Sequence, residues 1–430
     1  MKVKFYTLGC KVNQYESQAM SEALAKRGYE TVTDDTADIF VVNSCTVTAF
    51  ADKKTRQAVR RFKRNNPHSV VVLTGCMPQA YPENSKELSE ADIVIGNKNN
   101  NELPDILESY MKYGSRVFQV EEHKKGEPFR STAISAFEER TRAYIKIQDG
   151  CNRFCSYCVI PYSRGRVRSK PLDELKAELQ TLAENGYKEV VLVGINLSSY
   201  GSDIGETFPK AVKCANDTDG ILRVRLGSLE PDHLTDEVID ELKKCEKLCP
   251  QFHISLQSGS DSTLKRMNRH YTADEYSHLC RKLRESFSDC TLTTDVMVGF
   301  AGETEEDFEE SLSFVKEMGF EKVHIFPYSI RKGTRAEKFD GHLDASVKDE
   351  RCRIMIEETE KIRRAFMKSQ IGKVYSVIFE TSDSEGYLTG HTANFIPVKV
   401  KAPEKLRGEI KDVLLTEVCE DYCIGTLAKS

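Results

Sequence analysis

The chain has 430 residues, too many for one hydrophobic core, so we expect two or three domains. A formal charge of −5 gives no overall attraction to nucleic acid, and any nucleic-acid site must therefore be local. No apolar run approaches the ~18 to 20 residues of a membrane span, and the N-terminus lacks the apolar core of a signal peptide. We therefore expect no membrane association and a cytoplasmic location. In that reducing compartment the 14 cysteines favour metal ligation over a disulfide framework.

Residues 1–115 alternate strand and helix patterns. Short apolar runs at 3–8, 39–42, 70–73 and 93–95 separate the helical segments. Such alternation predicts an α/β domain with a parallel, doubly wound sheet. Residues 116–140 show no clear period, carry Gly and Pro among charges, and are predicted to be a linker.

Three cysteines, Cys10, Cys45 and Cys76, each follow one of these strands directly. Because parallel strands end at the same edge of a sheet, the three thiols should converge there. The alternative is three small buried residues in separate βα turns. The repetition at three strand ends favours a metal centre.

A second α/β pattern covers residues 141–369. Six strand signals, at 143–148, 189–193, 221–226, 252–256, 291–298 and 322–326, alternate with helices. A polar or glycine-rich loop follows each strand, as on the C-terminal face of an α/β barrel. Six units predict a partial (β/α)6 barrel that is open on one side.

The pattern changes again at residues 370–430. Five short alternating runs with Gly and Asp/Ser turns predict a small antiparallel β-barrel. This segment has slightly more acidic than basic residues, which argues against a grip on RNA by charge.

The loop after the first barrel strand carries Cys151, Cys155 and Cys158. A closed zinc site uses four ligands, and no fourth ligand stands at zinc-knuckle spacing in this loop. A cubane iron–sulfur cluster held by three thiolates leaves one iron open for chemistry. The spacing therefore favours a catalytic cluster over a structural zinc.

The pattern Cys-x3-Cys-x-aromatic-Cys resembles the signature of the radical S-adenosylmethionine superfamily. The resemblance implies that the three cysteines hold a [4Fe–4S] cluster whose open iron binds S-adenosylmethionine, with Tyr157 beside the adenine. It also implies that loops after the later strands complete the cofactor site, with packing at the barrel rim as the alternative for each residue. These residues are Gly194, Ile195 and Asn196 near the methionyl amine, Glu230 and Gln257 at polar groups, and Val298 and Gly299 beside the adenine.

The whole chain resembles the methylthiotransferases. Residues 7–17, 43–48 and 74–76 are similar to the N-terminal domain of that family, in which Cys10, Cys45 and Cys76 would bind a second [4Fe–4S] cluster. The C-terminal barrel resembles the TRAM RNA-binding module. Residues 9–17, 194–197 and 325–329 look most like the branch that modifies threonylcarbamoyladenosine beside the tRNA anticodon. Ala301 departs from the family, which usually has Pro in this Gly-Phe-Pro-Gly-Glu-Thr loop.

The resemblance implies an activity: radical methylthiolation of C2 of N6-threonylcarbamoyladenosine. It implies two [4Fe–4S] clusters, S-adenosylmethionine, the tRNA anticodon stem–loop as substrate and an electron donor such as flavodoxin or ferredoxin, and it leaves the sulfur donor open. The alternatives within the family are isopentenyladenosine in tRNA or a ribosomal-protein aspartate. A metal-stabilised RNA-binding protein without catalysis is the alternative of another class.

Two basic segments are candidate RNA contacts, and a solvated surface is the alternative for both. The first follows the Cys158 loop at two-residue spacing, so on an extended loop its side chains would face one way beside the active site: Arg164, Arg166, Arg168 and Lys170. The second lies in the helix after Cys45: Lys53, Lys54, Arg56, Arg60, Arg61, Lys63 and Arg64. We favour the first segment.

Overall fold

The fold is taken from a computed structural model, which describes residues 1–130, 132–137 and 141–428. The N-terminal elements are β1 (Lys2–Thr7), α1 (Lys11–Ala25), β2 (Glu30–Thr31), β3 (Ile39–Ser44), α2 (Ala49–Asn65), β4 (Val70–Gly75), α3 (Cys76–Ala80), α4 (Pro82–Lys86), β5 (Ile93–Ile95), α5 (Leu103–Tyr113) and β6 (Val117–Gln119). Their six strands form one parallel sheet in the order β2-β1-β3-β4-β5-β6.

Helices cover both faces of this sheet. One face packs on α1 and α5 through residues such as Leu24 and Leu107. The other packs on α2 through Val59 and Phe62. Burial on both faces explains why the strands are continuous apolar runs without alternation. The predicted doubly wound parallel sheet is confirmed.

The central elements are β7 (Arg142–Lys146), β8 (Gln148–Asp149), α6 (Ile160–Arg164), β9 (Arg168–Ser169), α7 (Leu172–Glu184), β10 (Glu189–Val193), α8 (Phe208–Asn216), β11 (Arg223–Leu226), β12 (Ser228–Leu229), α9 (Asp236–Leu242), β13 (Gln251–Ile254), α10 (Asp261–Arg266), α11 (Ala273–Ser286), β14 (Thr291–Val298), α12 (Glu305–Met318), β15 (Lys322–Pro327) and α13 (Ala345–Ser369). Strands β7, β10 and β11 form one parallel sheet, and β12 to β15 form another. The six strands predicted for the partial barrel are all present, with the third divided at Gly227 between β11 and β12.

The C-terminal elements are β16 (Val374–Ser382), β17 (Tyr387–Thr392), β18 (Pro397–Lys401), β19 (Ile410–Val418) and β20 (Cys423–Leu427). They close into a barrel in the order β16-β17-β18-β20-β19, which confirms the predicted small β-barrel. All its pairs are antiparallel except β18 with β20.

Part of the segment predicted as a linker belongs to the N-terminal sheet, because β6 pairs in parallel with β5. Further along this segment, Ile134 and Phe137 are buried in the central core. The backbone N–H of Ser135 donates to the two carboxylate oxygens of Glu22 in α1, at 3.0 and 2.9 Å. This stretch therefore bridges the first two domains; residues 131 and 138–140 of the predicted linker lie outside the described residues.

The C-terminal barrel docks on the N-terminal ends of the central strands. Arg225 of β11 is buried and donates to Glu189 of β10 at 2.8 Å and to the Ala393 carbonyl at 3.0 Å. Its guanidinium also lies 4.7 Å from the centre of the Phe395 ring. Arg223 donates to the Ser376 carbonyl at 2.6 Å. These contacts fix the C-terminal barrel at the end of the central barrel opposite to its loops.

None of the helices within the described residues is both long and apolar enough to span a bilayer.

Replacing Arg225 by methionine should loosen the C-terminal barrel. Glu189 would remain buried with weaker partners, and breaking such a buried pair costs about 3–5 kcal/mol. We expect a lower midpoint of thermal unfolding and earlier protease cleavage after residue 370. Arg353→Met, which removes an exposed ion pair on α13, is the control and should change stability by less than about 1 kcal/mol. Equal midpoints for the two variants would contradict the structural role of Arg225.

Candidate active site

The three N-terminal cysteines converge at one edge of the sheet. Cys10 follows β1, Cys45 follows β3 and Cys76 begins α3 directly after β4. Burial, with further contributions from the neighbouring Cys76 and Cys10 thiols, raises the pKa of Cys45 to about 12. Gly9 permits the close approach, since its φ is +100° and a Cβ there would lie 2.7 Å from Cβ of Cys45. The sheet thus brings together thiols that are far apart in sequence.

The second triad lies in the loop after β8. Burial, and then the Cys155 and Cys151 thiols, raise the pKa of Cys158 well above its ordinary value, so these three thiols are also neighbours. Phe154 has a positive φ of 52°, and the Cys158 N–H donates to the Cys155 carbonyl at 3.0 Å. Ser156 anchors the loop to the residues that end α10, because its N–H donates to the Met267 carbonyl at 2.9 Å.

Several N–H donors point at the sulfur atoms of this loop. Nδ2 of Asn196 lies 3.7 Å from Sγ of Cys151, and the Arg153 backbone nitrogen lies 3.4 Å from the same sulfur. Nη1 of Arg269 lies 3.3 Å from Sγ of Cys155. Hydrogen bonds to sulfur stabilise thiolates and tune the potential of iron–sulfur clusters. The donor set therefore fits cysteines that act as cluster ligands.

The number of thiols in each triad also bears on the kind of metal. A closed structural zinc site uses four ligands. A cubane cluster held by three thiolates instead leaves one iron open for chemistry. Each triad supplies three cysteines, so the donor set fits a [4Fe–4S] cluster.

A cavity of about 170 Å³ lies where the two domains meet. Val47 and Thr48 of the N-terminal domain form one side, and Tyr157 and Cys158 of the cysteine loop form another. The ends of the barrel strands close it through Gln257, Met297 and Tyr328. Tyr157 also packs edge-on to Phe300, with ring centres 6.2 Å apart. The cavity is thus bounded by parts of both cysteine-bearing loops.

The other cofactor residues predicted from sequence are distributed around this centre. The Asn196 N–H donates a hydrogen bond to the Gln148 side chain. The same side chain occupies the space beside Gly194 where a Cβ would lie. Ile195 packs against the central core. Glu230 forms an ion pair with Arg269, which links it to Cys155. Val298 is buried at the end of β14, and Gly299 has a φ of +70° beside Lys348. Their roles in binding S-adenosylmethionine remain predictions.

The four basic residues after the cysteine loop do not lie on one exposed face. Arg164 and Lys170 are at most 1% exposed and Arg168 is 6% exposed, whereas Arg166 is exposed and stacks over Phe154. The prediction of RNA contacts is therefore corrected for Arg164, Arg168 and Lys170, which cannot reach a phosphate from their buried positions. Turns at Gly165 and a short strand, β9, replace the extended loop on which that prediction rested.

Arg164 instead joins the two domains. Its guanidinium forms an ion pair with Glu16 of α1 and donates to Oδ1 of Asn13 at 2.8 Å. Its Nε lies 3.3 Å from Sγ of Cys76. Oδ1 of Asn13 also accepts from the Cys10 thiol at 3.6 Å. A residue that follows the second triad by six positions thus contacts the first triad.

The carboxylates of Glu16 and Asp149 complete this buried network. Nζ of Lys146 bridges them and lies 2.7 Å from an oxygen of each. Burial alone would raise the pKa of Glu16 and of Asp149. The positive charges of Arg164 and Lys146 outweigh it and hold both pKa values below their ordinary range. Both carboxylates are therefore ionised and paired at neutral pH.

Lys170 is buried in a separate pair with Glu178 and lies 3.4 Å from the Tyr15 hydroxyl. Arg168 pairs with Asp149 at 3.5 Å. Sequence reasoning missed these roles, and it missed Arg269 altogether. Arg269 stands in a loop without periodicity, so no local pattern could have marked it.

Comparison with known proteins agrees with this architecture. A family model described as the radical SAM superfamily matches residues 145–315, and one described as the uncharacterized protein family UPF0004 matches residues 2–96. A threonylcarbamoyladenosine tRNA methylthiotransferase MtaB from Bacillus subtilis is 36% identical, covering 99% of this chain and 96% of that protein. Its namesake from Thermotoga maritima is 38% identical, covering 99% and 97%.

The chain belongs to the radical SAM methylthiotransferase family.

Another relative is a tRNA-2-methylthio-N(6)-dimethylallyladenosine synthase from Clostridium botulinum, 37% identical over 90% of this chain and 88% of that protein. Among solved structures, the radical S-adenosylmethionine methyltransferase TsrM from Kitasatospora setae has a TM-score of 0.57 at 16% identity, covering 76% of this chain and 72% of that one. At this identity the likeness concerns the fold. Methylthiotransferases of this family use S-adenosylmethionine and [4Fe–4S] clusters, which confirms the predicted cofactors.

Replacing Arg164 by methionine should separate the two domains of this methylthiotransferase. Glu16 would stay buried with Lys146 as its remaining partner, at a cost of about 3–5 kcal/mol. We expect a lower midpoint of thermal unfolding for the chain without cofactors. Arg166→Met, an exposed change two residues away, should alter stability by about 0.5 kcal/mol or less. Indistinguishable midpoints would show that the guanidinium does not hold the interface.

Proposed function

We propose that the chain methylthiolates C2 of N6-threonylcarbamoyladenosine beside the anticodon of tRNA, giving 2-methylthio-N6-threonylcarbamoyladenosine. The observation that carries this proposal is an interdomain cavity between the segment after Cys45 and the loop that carries Cys158, with Arg164 linking this second loop to Cys76 of the first triad. One triad on an open barrel indicates radical chemistry, and a second open triad beside it indicates transfer of sulfur. The choice of nucleoside rests on the MtaB relatives, which match this chain over nearly its whole length.

The target bond explains why such cofactors are needed. The C2–H of a purine is not acidic, and C2 bears no leaving group, so acid–base catalysis has little effect on it. Cysteines 151, 155 and 158 would hold one cluster, and Cys10, Cys45 and Cys76 would hold the other. Bound there, the clusters and S-adenosylmethionine supply the radical, the sulfur and the methyl group.

The side chains of the cavity have the remaining tasks of orientation and exclusion of water. Met297, Phe326 and Pro327 give the cavity an apolar wall, while Gln257 and Asp295 offer polar groups. Such a mixture suits a planar heterocycle with polar edges. Val47 and Thr48 close the cavity from the side of the N-terminal triad, so a base that enters would lie between the segment after Cys45 and the loop that carries Cys158.

The substrate and partners follow from this activity. The whole target is the anticodon stem–loop of tRNA, whose unpaired bases can be splayed into a protein cavity. Electrons would come from a donor such as flavodoxin or ferredoxin. We place the reaction in the cytoplasm, where tRNA and these donors are found.

Nucleoside analysis of tRNA from cells that lack this protein tests the proposal. We expect loss of 2-methylthio-N6-threonylcarbamoyladenosine and accumulation of its unmethylthiolated precursor. Loss of the methylthiolated isopentenyladenosine instead would assign the chain to the branch of the Clostridium botulinum relative. An unchanged nucleoside profile would overturn both assignments.

The two triads should be separable by cysteine substitution. The reconstituted wild type should contain about eight iron atoms per chain, and replacing all three cysteines of either triad by alanine should leave about four. Cys155→Ala alone should abolish cleavage of S-adenosylmethionine under reducing conditions. Cys290→Ala, a half-buried cysteine outside both triads, is the control. About one zinc and no sulfide in the wild type would refute the cluster assignment and favour a metal-stabilised RNA-binding protein.

A further inference from the structure

Exposed apolar side chains lie on, or directly beside, two segments that line the interdomain cavity. Val47, which lines the cavity, is 55% exposed, and Phe50 at the start of α2 is 62% exposed. Ile330, in the loop after β15, is 43% exposed. The Ala49 N–H donates to Oγ of Ser329 at 3.1 Å, which joins the start of α2 to this loop. The rim of the cavity therefore presents a phenyl ring and two aliphatic groups to solvent.

A basic stripe runs along α2 from this rim. Exposed residues recur at helical spacing on one side of the helix: Phe50, Lys53, Lys54, Arg60, Arg61 and Arg64. The helix has seven basic residues and one acidic residue, Asp52, which is buried and paired with Arg331. In a chain whose net charge is −5, this is a strong local concentration of positive charge.

Most of this charge is not neutralised by the protein. In the part of the chain that the structure describes, Arg60 pairs with Glu90, but no acidic partner contacts Lys53, Lys54 or Arg64. Nζ of Lys54 lies 4.6 Å from the centre of the Phe50 ring, so a cation and an aromatic face stand together at the cavity mouth.

We propose that the α2 stripe, consisting of Phe50, Lys53, Lys54, Arg60, Arg61 and Arg64, binds the RNA loop that carries the target base. Lys53 and Lys54 contact phosphates, and Phe50 stacks on a base next to the one that enters the cavity. The proposal rests on the proposed function for the identity of the RNA. It assigns to the N-terminal domain a contact that the TRAM-like fold would suggest for the C-terminal barrel.

The chemistry of a single-stranded loop matches each part of the surface. Unpaired bases have open faces that stack on aromatic side chains, and the adjoining phosphates need cations. With 17 residues, α2 extends for about 25 Å, long enough to follow several phosphates away from the cavity. The C-terminal segment 370–430, with nine acidic and seven basic residues, offers no comparable charge. An acidic electron-donor protein would use the charge but not the ring at the cavity mouth.

The stacking contact can be tested with a fluorescent base. The probe is an anticodon stem–loop RNA with 2-aminopurine placed on either side of the target base in turn. Binding to the wild type should quench the fluorescence at one of the two positions. Phe50→Ala should abolish that quenching and weaken binding about 5- to 150-fold, because stacking on an aromatic side chain contributes about 1–3 kcal/mol per base. Tyr113→Ala is the matched control, since Tyr113 is 67% exposed and Lys112 lies 5.1 Å from its ring, yet it stands on α5.

The phosphate contacts have their own readout. The slope of log K against log salt should become shallower by about 0.7 for each phosphate that the protein no longer neutralises. For the Lys53→Ala, Lys54→Ala double variant we therefore expect a slope shallower by about 1.4 than that of the wild type. Lys112→Ala should leave the slope unchanged.

Three results would overturn the proposal. One is wild-type affinity and quenching in Phe50→Ala; another is an unchanged salt slope in the lysine variant. The third is slower reduction of the reconstituted enzyme by flavodoxin in the lysine variant, with unaltered RNA binding. That result would identify the stripe as the binding site of the electron donor. If the stripe binds this RNA as predicted but the enzyme modifies no tRNA, the RNA-binding role of the stripe is supported and the proposed function is refuted.

Discussion

A buried guanidinium, that of Arg164, ties the two cysteine triads into one site. It follows the second triad in sequence, and it contacts Cys76 of the first at 3.3 Å while pairing with Glu16. A buried charged side chain is tolerated only when its ion-pair partners are held in place. Glu16, Asp149 and Lys146 all belong to the same buried network as Arg164. The distance between the two triads is therefore set by electrostatics as well as by apolar packing. Without such a constraint, two clusters on separate domains would have no defined relation.

The two α/β domains meet where their strands end. Parallel strands place every following loop at one edge, so each domain presents its cysteines on a single side. The cavity lies between these sides, bounded by Val47 and Thr48 on one and by Cys158 and Tyr328 on the other. One topological rule, applied twice, thus produces a site that neither domain contains alone.

The same rule determines what could be predicted from the sequence. The convergence of Cys10, Cys45 and Cys76 follows from strand ends alone, and the barrel strands follow from alternation. The position of Arg164 does not, because its partner Glu16 lies 148 residues away and a buried, paired arginine has the same local pattern as a solvated one. Residues 164–170 alternate basic and other residues, as an RNA-binding loop would, but three of their four cations neutralise carboxylates inside the protein. A local pattern carries no information about pairing across domains.

The position of the C-terminal barrel limits how RNA can approach. Arg223 and Arg225 hold that barrel at the N-terminal ends of the central strands, whereas the cavity lies at their C-terminal ends. Strands of four to eight residues separate the two by roughly 13 to 26 Å. A loop base in the cavity is therefore beyond the direct reach of the C-terminal barrel, which can contact only a more distant part of the same RNA. On this proposal, the nucleotides beside the target would contact elements near the cavity mouth, and α2 offers there both an aromatic ring and lysines without an acidic partner among the described residues.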